Sequence, residues 1–192
     1  MTANHTDDLQ LLARIRGGES RAFDLLFLKY YSNLLRFSKS LLPYPSDEAE
    51  DIVLEVFHQL WRQRENIHVH TSLSAFLYTA VKNRVYDYRR KQKLRTSAPL
   101  DDVPGEPSAD HDGPEHALTY KELAANLEKL VKALPARMQL IFRMNREDEL
   151  TYQEIADLLE ISLNSVKTQM YRAIKYLKEA CHPDHAPVSK KI

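Results

Sequence analysis

From Ala98 to Tyr120 the chain carries six acids and neither Lys nor Arg, and the stretch Pro99 to Pro114 holds four prolines and two glycines. Such a segment cannot bury enough apolar surface to offset the entropy of ordering it. Residues 98–115 therefore read as a flexible acidic, Pro-rich linker. Folded structure has to be built from the parts on either side, residues 1–97 and residues 116–182, with 183–192 as a disordered tail. A length of 192 residues exceeds the usual single-domain size, so length alone allows two small domains as readily as one. Gly17 and Gly18 are the only glycines outside the linker, and no run of alternating β-branched residues occurs. The fold class is all-α, with two small helical domains.

The C-terminal part contains Leu150–Lys178, which reads as two helices joined by a tight turn. Thr151 with Glu154 forms a capping box that starts the first helix. Ile155, Ala156 and Leu159 recur on one helical face, Ile161 plugs the turn, and Ser162 can cap the second helix. Val166, Ala173 and Leu177 line the inner side of that helix. Asn164, Ser165, Lys167, Thr168, Arg172 and Lys175 point outward. Short polar side chains at a helix start, followed by Lys and Arg one and two turns on, suit a helix whose N-terminal end enters a major groove. The plainer alternative is an amphipathic hairpin in a packed bundle. Glu160 sits at the turn, where a helix-turn-helix favours Gly, and a non-Gly residue at positive φ costs on the order of 1 kcal/mol.

The N-terminal part reads as a bundle of four helical passes. Asp7–Arg16 ends at the Gly pair. Ser20–Leu42 carries the stripe Phe23, Leu26, Phe27, Tyr30, Leu34 and Phe37, and stops at Pro43. The third pass, Ser46–Trp61, buries Ala49, Ile52, Val53, Val56, Phe57, Leu60 and Trp61, with Ser46 as its cap. Glu48, Asp51, Glu55 and Gln59 lie opposite. Acids in a first turn suit the helix dipole, but Glu55 lies two turns in, so the row also reads as an acidic ridge for a partner. The fourth pass, Ser72–Lys93, turns Phe76, Leu77, Ala80, Val81, Val85 and Tyr88 inward. Lys82, Asn83, Tyr86, Arg89, Arg90 and Lys93 face outward. Cations interleaved with aromatics suit single-stranded nucleic acid, where bases stack on rings and phosphates meet cations. A solvated basic helix end accounts equally for Arg89 to Lys93, though not for Lys82, Asn83 and Tyr86 in mid-helix.

Formal net charge is zero, yet Lys82–Arg95 holds seven basic residues against one acid, Asp87. A basic block thus stands beside the acidic linker. Neutralising phosphates supplies most non-specific DNA affinity, so a neutral chain binds DNA feebly alone and needs a partner that presents it. The single Cys181 excludes an internal disulfide and fits a reducing cytosol. No signal-peptide pattern and no apolar run of about 18 residues occurs, so a cytoplasmic location without membrane insertion is expected. His68-Val-His70 and Cys181-His182-Pro-Asp-His185 are the only His clusters, and neither is spaced to close a tetrahedral metal cage. No phosphate loop or nucleophile motif appears, so neither an enzyme nor a cofactor is expected.

Four pieces in order resemble one family. They are Asp47-Glu-Ala-Glu-Asp with Val56, Phe57, Leu60 and Trp61; then Phe76, Leu77, Asn83 and Asp87-Tyr88-Arg89-Arg90. Leu134-Pro135 with Arg137, Ile141 and Phe142 comes after the linker, and the helix-turn-helix from Leu150 to Ala173 is last. From about Leu9 to Ala180 the chain resembles an extracytoplasmic-function (ECF) sigma factor of the sigma-70 family. The resemblance implies that residues 1–97 correspond to region 2 and residues 116–182 to region 4. It implies that Asp51, Glu55 and Gln59 dock on the clamp helices of the large subunit of core RNA polymerase. The loop Gln63–Ser74 and the helix face Lys82, Asn83, Tyr86, Arg89 and Arg90 would melt and hold the −10 element, with an unpaired base captured in the loop. Asn164, Ser165, Lys167, Thr168, Arg172 and Lys175 would read the −35 element. The acidic linker would thread toward the RNA path of the polymerase, and an anti-sigma factor is a further candidate partner. The rival readings are a stand-alone helix-turn-helix regulator and a protein-binding adaptor. The first would need autonomous dimerisation and tight operator binding, which zero net charge and the tether disfavour; binding to core RNA polymerase separates all three readings.

Overall fold

The Gly17-Gly18 pair ends the first helix as the sequence requires. Gly18 takes φ +82°, a conformation with no steric cost only for glycine, and its N–H bonds to the Ile15 carbonyl at 2.9 Å. Glu19 then reaches back to Arg14, whose Nε donates at 2.8 Å. In this computed structural model, residues 3–42, 48–69, 72–95 and 120–181 are described. The linker 98–115, the tail 183–192, the Ser46 cap, His70 and the His182–His185 cluster lie outside the described residues.

Eight α-helices and one short 3-10 turn make up the described residues, which contain no strand. The N-terminal part comprises α1 (Ala3–Arg16), α2 (Ser20–Leu41), α3 (Glu48–Arg62), the turn Arg64–Asn66 and α4 (Leu73–Arg95). The C-terminal part comprises α5 (Tyr120–Lys132), α6 (Ala136–Arg146), α7 (Tyr152–Leu159) and α8 (Leu163–Cys181). The first three N-terminal passes fall within a few residues of their expected bounds, and α4 runs two residues beyond Lys93.

The α2 and α3 stripes meet through aromatic rings. Phe23 lies 5.1 Å from Trp61 and Phe27 lies 4.9 Å from Phe57, centroid to centroid. Each end of the C-terminal part has its own staple. Pro135 opens α6 at the position before the first helical residue, where its missing N–H is no loss. Arg143, buried, bridges Glu128 of α5 at 2.5 Å and Glu147 of its own helix end. Desolvation pulls the Arg143 pKa down, but bonds to the two carboxylates outweigh it and hold the guanidinium above its ordinary value.

The two parts do not stand as separate cores. One buried apolar cluster runs from Leu12 and Ile15 through the α2, α3 and α4 stripes into Leu140, Ile141, Met144, Leu150, Ile155 and Val166. A smaller cluster of Val131, Leu134, Ala173 and Leu177 closes the far side of α5 and α8. Several inward assignments shift. Leu158 rather than Leu159 is the buried residue at the end of α7, and Met170 joins the inner side of α8. Phe23, Phe27, Trp61, Phe76, Ala80 and Tyr88 are only half-buried against the core. The residue missed on α4 is Tyr78, 1% exposed and edge-on to Phe37 at 4.9 Å.

Phe57 touches both partners of the α2–α3 seam and is 2% exposed. Phe57→Ala should lower unfolding free energy by about 3–5 kcal/mol, read by urea denaturation. Leu28→Ala, at a side chain 74% exposed, should stay within about 0.5 kcal/mol of the parent.

Candidate nucleic-acid interface

The helix-turn-helix forms as its capping residues dictate. The Thr151 hydroxyl accepts from the Glu154 N–H at 3.2 Å while the Glu154 carboxylate accepts from the Thr151 N–H at 2.7 Å. Ser162 accepts from the Ser165 N–H at 3.0 Å and so starts α8. Between them Glu160 adopts φ 54° and ψ 44°, the left-handed conformation expected of Gly, and its N–H closes on the Ala156 carbonyl. The turn geometry is therefore the ordinary one, held by a residue that carries a side chain. Asn164, Ser165, Lys167, Arg172 and Lys175 are exposed and Thr168 is half-exposed, on the side opposite buried Val166, Met170, Ala173 and Leu177. Tyr171 and Tyr176 flank them, 67% and 42% exposed.

The acidic row on α3 is organised by a residue that the sequence reading passed over. Arg84 of α4 pairs with Glu55 at 3.2 Å and donates to the Gln59 side-chain carbonyl. Asp51 and Glu55 remain exposed. The groove between α3 and α4 has an aliphatic floor that includes Val56, Leu60 and Ile67, with Phe76, Asn83, Arg84 and Asp87 adding a ring, an amide, a cation and a carboxylate. Arg84 could have been found from its place inside the basic block, one turn after Ala80, on the side of α4 that faces the acidic helix.

On α4 the expected outward face divides. Asn83 and Arg90 are exposed, but Lys82 and Tyr86 turn toward the C-terminal part. The outward placement of those two is thus corrected: α7 packs over them. Lys82 Nζ donates to the Asp157 carbonyl at 2.8 Å and pairs with Glu160 at 3.0 Å. It also lies 5.6 Å from the Tyr86 ring centroid, and the Tyr86 hydroxyl donates to the same Glu160 carboxylate. Bonds from Lys82, then from Tyr86, hold Glu160 below the usual carboxylate range.

A second contact between the parts is buried. Asp148, in the loop between α6 and α7, accepts from Asn33 Nδ2 of α2 at 3.0 Å and from the Tyr78 hydroxyl of α4 at 2.7 Å. Arg36 of α2 in turn donates to the Asn33 side-chain oxygen at 2.5 Å. Burial outweighs both donors and raises the Asp148 carboxyl from 3.8 to about 6, with Glu147 adding to the rise and Arg36 opposing it. The neighbouring Glu149 sits at φ 56°, and the Leu150 N–H bonds to the Met144 carbonyl at 2.9 Å, so the loop is fixed as it enters the core.

A helix-turn-helix with a bare polar recognition face, set beside a basic, aromatic-bearing helix, defines a helical DNA-binding protein. Residues 26–95 match Sigma-70 region 2, and residues 124–177 match Sigma-70, region 4. The RNA polymerase sigma-H factor of Pseudomonas aeruginosa is 26% identical over 185 residues, covering 92% of this chain and 94% of that protein. The ECF RNA polymerase sigma-E factor of Escherichia coli is 23% identical over 190 residues, covering 95% and 98%. A solved structure of the sigma factor RpoE in complex with the anti-sigma factor NepR from Bartonella quintana covers 85% of this chain and 98% of that chain. Its identity is 20% and its TM-score 0.46. The chain belongs to the sigma-70 family and is a sigma factor of the ECF type. Among the described residues no helix is long and apolar enough to cross a membrane.

The Asp148 carboxyl has a pKa above its free value, so its packing is favoured where it is protonated and weakens as pH rises through about 6. The rise from 3.8 to about 6 corresponds to about 3 kcal/mol between the two limits. Asp148→Asn should abolish that slope: between about pH 4 and 7 the unfolding free energy of the parent should fall relative to the variant. Parallel urea titrations of the two proteins across that range measure it.

Proposed function

We propose that this sigma factor works through three separate surfaces, each carried by its own set of residues. Asp51, Glu55 and Gln59 on α3 dock on core RNA polymerase. Lys82, Asn83, Tyr86, Arg89 and Arg90 on α4, with the Gln63–Ser74 loop, meet the opened strand of the −10 element. Asn164, Ser165, Lys167, Thr168, Arg172 and Lys175 on α8 read duplex DNA at the −35 element.

The observation that carries the proposal is the recognition face of α8. Five of its six proposed contact residues are exposed, while Val166, Met170 and Ala173 behind them are buried, so the helix presents polar groups and cations that none of the described residues covers. Phosphate contacts from Lys and Arg position such a helix, and short polar groups near its N-terminus reach base edges. The α3–α4 groove supports the −10 assignment, because Asn83 and Gln63 supply amides and Phe76 a ring to a lining that also holds aliphatic side chains, Arg84 and Asp87, a mixed surface that an unstacked base can enter. Arg84 supports the docking assignment by locking Glu55 and Gln59 in one orientation. Zero net charge argues that polymerase binding supplies the affinity which the chain lacks alone.

The division of labour is tested by transcription with core polymerase on duplex and pre-melted templates. Arg172→Ala or Lys167→Ala should weaken promoters that depend on the −35 element by about 1–3 kcal/mol, roughly 5- to 150-fold. Asn83→Ala should slow strand opening, seen by permanganate reactivity at the −10 region, and a pre-melted bubble should rescue it but not Arg172→Ala. Equal rescue of both would contradict the assignment.

Docking has its own test. Asp51→Lys with Glu55→Lys should abolish co-elution with core polymerase while the thermal midpoint stays within a few degrees of the parent, as expected for exposed positions. Retained co-elution would move the docking surface elsewhere.

A further inference from the structure

Lys82 and Tyr86 form a built site on α4 that is already occupied. The ammonium stands 5.6 Å from the ring centroid, and the Lys82 side chain is 15% exposed although it sits in mid-helix. A cation held beside an aromatic ring is the pairing that takes one step of single-stranded nucleic acid, with the phosphate on the ammonium and the base against the ring. What lies there is an anion from the same chain. The Glu160 carboxylate takes the ion pair at 3.0 Å and the tyrosine hydroxyl, and the Asp157 carbonyl takes a further Lys82 proton.

The position of Glu160 is unusual in its own right. A left-handed turn residue at φ 54° is most easily Gly, and Glu there carries backbone strain of the kind that persists only when surrounding contacts hold it. Its side chain contributes nothing to the helix-turn-helix core, since it is 61% exposed. Beyond its own turn it is held by Lys82 and Tyr86, with the Arg89 charge adding to the attraction. The buried Asp148 contact to Asn33 and Tyr78 holds the opposite end of α7 against α2 and α4, so the carboxylate is delivered to the site rather than wandering into it.

We propose that Glu160 acts as an internal stand-in for a nucleic-acid phosphate, occupying the Lys82–Tyr86 site in the free protein and yielding it to a phosphodiester of single-stranded DNA when the helix-turn-helix moves off α4. The ligand class is a single-stranded phosphodiester with an unstacked base, and the competitor is a carboxylate on the duplex-reading part. One part of the molecule thereby masks the other until both are spread on a larger partner. This deepens the −10 assignment of Lys82 and Tyr86 and rests on it for its biological meaning.

The test uses the full-length free protein and a fluorescein-labelled oligothymidylate as probe, with anisotropy as the readout. Glu160→Gly removes the carboxylate and relieves the turn, so its thermal midpoint should be equal to or above that of the parent. Its oligonucleotide affinity should rise about two- to fivefold, the range expected when an ion pair with an exposed partner ceases to compete. Glu160→Asn, which tolerates the same backbone but is too short to reach, should behave alike. Adding Lys82→Ala to either variant should cancel the gain. Asp24→Asn, which changes net charge equally on an exposed part of α2, should give no gain. Unchanged affinity in both Glu160 variants, a gain that survives Lys82→Ala, or an equal gain from Asp24→Asn would each overturn the proposal.

A domain readout runs alongside. Energy transfer between dyes at Cys181 and at a cysteine introduced by His58→Cys should stay near the parent's in Glu160→Gly alone, since Asp148 and the shared core remain, and fall on oligonucleotide addition. Unaltered transfer on oligonucleotide addition would overturn the masking. Failure of the −10 assignment has a different signature: Lys82→Ala would open promoters normally in the polymerase complex while Glu160→Gly still gained oligonucleotide affinity.

Discussion

A carboxylate taken out of water must find hydrogen-bond donors, and Asp148 finds its two on different helices of the other half of the molecule. Asn33 and Tyr78 can satisfy it only when the loop between α6 and α7 is seated against α2 and α4 together. That requirement fixes the C-terminal part in rotation as well as position, which apolar contact alone specifies poorly. Leu150 and Ile155 then complete the long core begun by Phe37 and Tyr78, and the end of α7 arrives over Lys82. Because burial lifts the Asp148 carboxyl to about 6, the same contact weakens as pH climbs toward neutrality. The union of the two halves thus combines a shared apolar core with one polar contact that responds to pH.

Two strained backbone positions bracket α7. Glu149 and Glu160 both take positive φ without being Gly, each at a cost on the order of 1 kcal/mol. Glu149 follows the buried carboxylate and turns the chain into the core. Glu160 turns it out again into the recognition helix and places its own carboxylate on α4. The short helix between them is held at both ends by contacts to the N-terminal part, so the DNA-reading hairpin is positioned by the surface it partly covers.

Much of this was legible in the sequence because the signals were local. The Thr151–Glu154 box, the Ser162 cap, the glycine pair after Arg16 and the apolar stripes of α2 and α3 each depend on neighbours within a turn or two, and each is where the pattern places it. The exposed face of α8 follows from periodicity alone. What the sequence did not disclose depends on partners distant along the chain. Tyr78 looked like one more aromatic on a mixed helix, and its burial becomes intelligible only with Phe37 and Asp148 beside it. Lys82 and Tyr86 looked outward because nothing local covers them; their cover comes from a turn 75 residues away. Glu160 stood out as a departure at the turn, and its reason lies across the interface. Arg84 was hidden among basic neighbours although its partners, Glu55 and Gln59, had been singled out. The linker pattern argued for two parts with separate cores, and it carries no information about how those parts meet.

Whether the free chain holds its two halves together around Asp148 is tested most directly by small-angle X-ray scattering of the free protein at about pH 5, where that carboxyl is mostly protonated. A single-lobed distance distribution is expected, with a radius of gyration between about 16 and 19 Å, near the scaling for a compact chain of this length. Expansion is expected when Asp148→Leu leaves Asn33 and Tyr78 without their acceptor. A two-lobed distribution with a radius well above about 20 Å for the parent, unchanged by that substitution, would contradict that union of the halves.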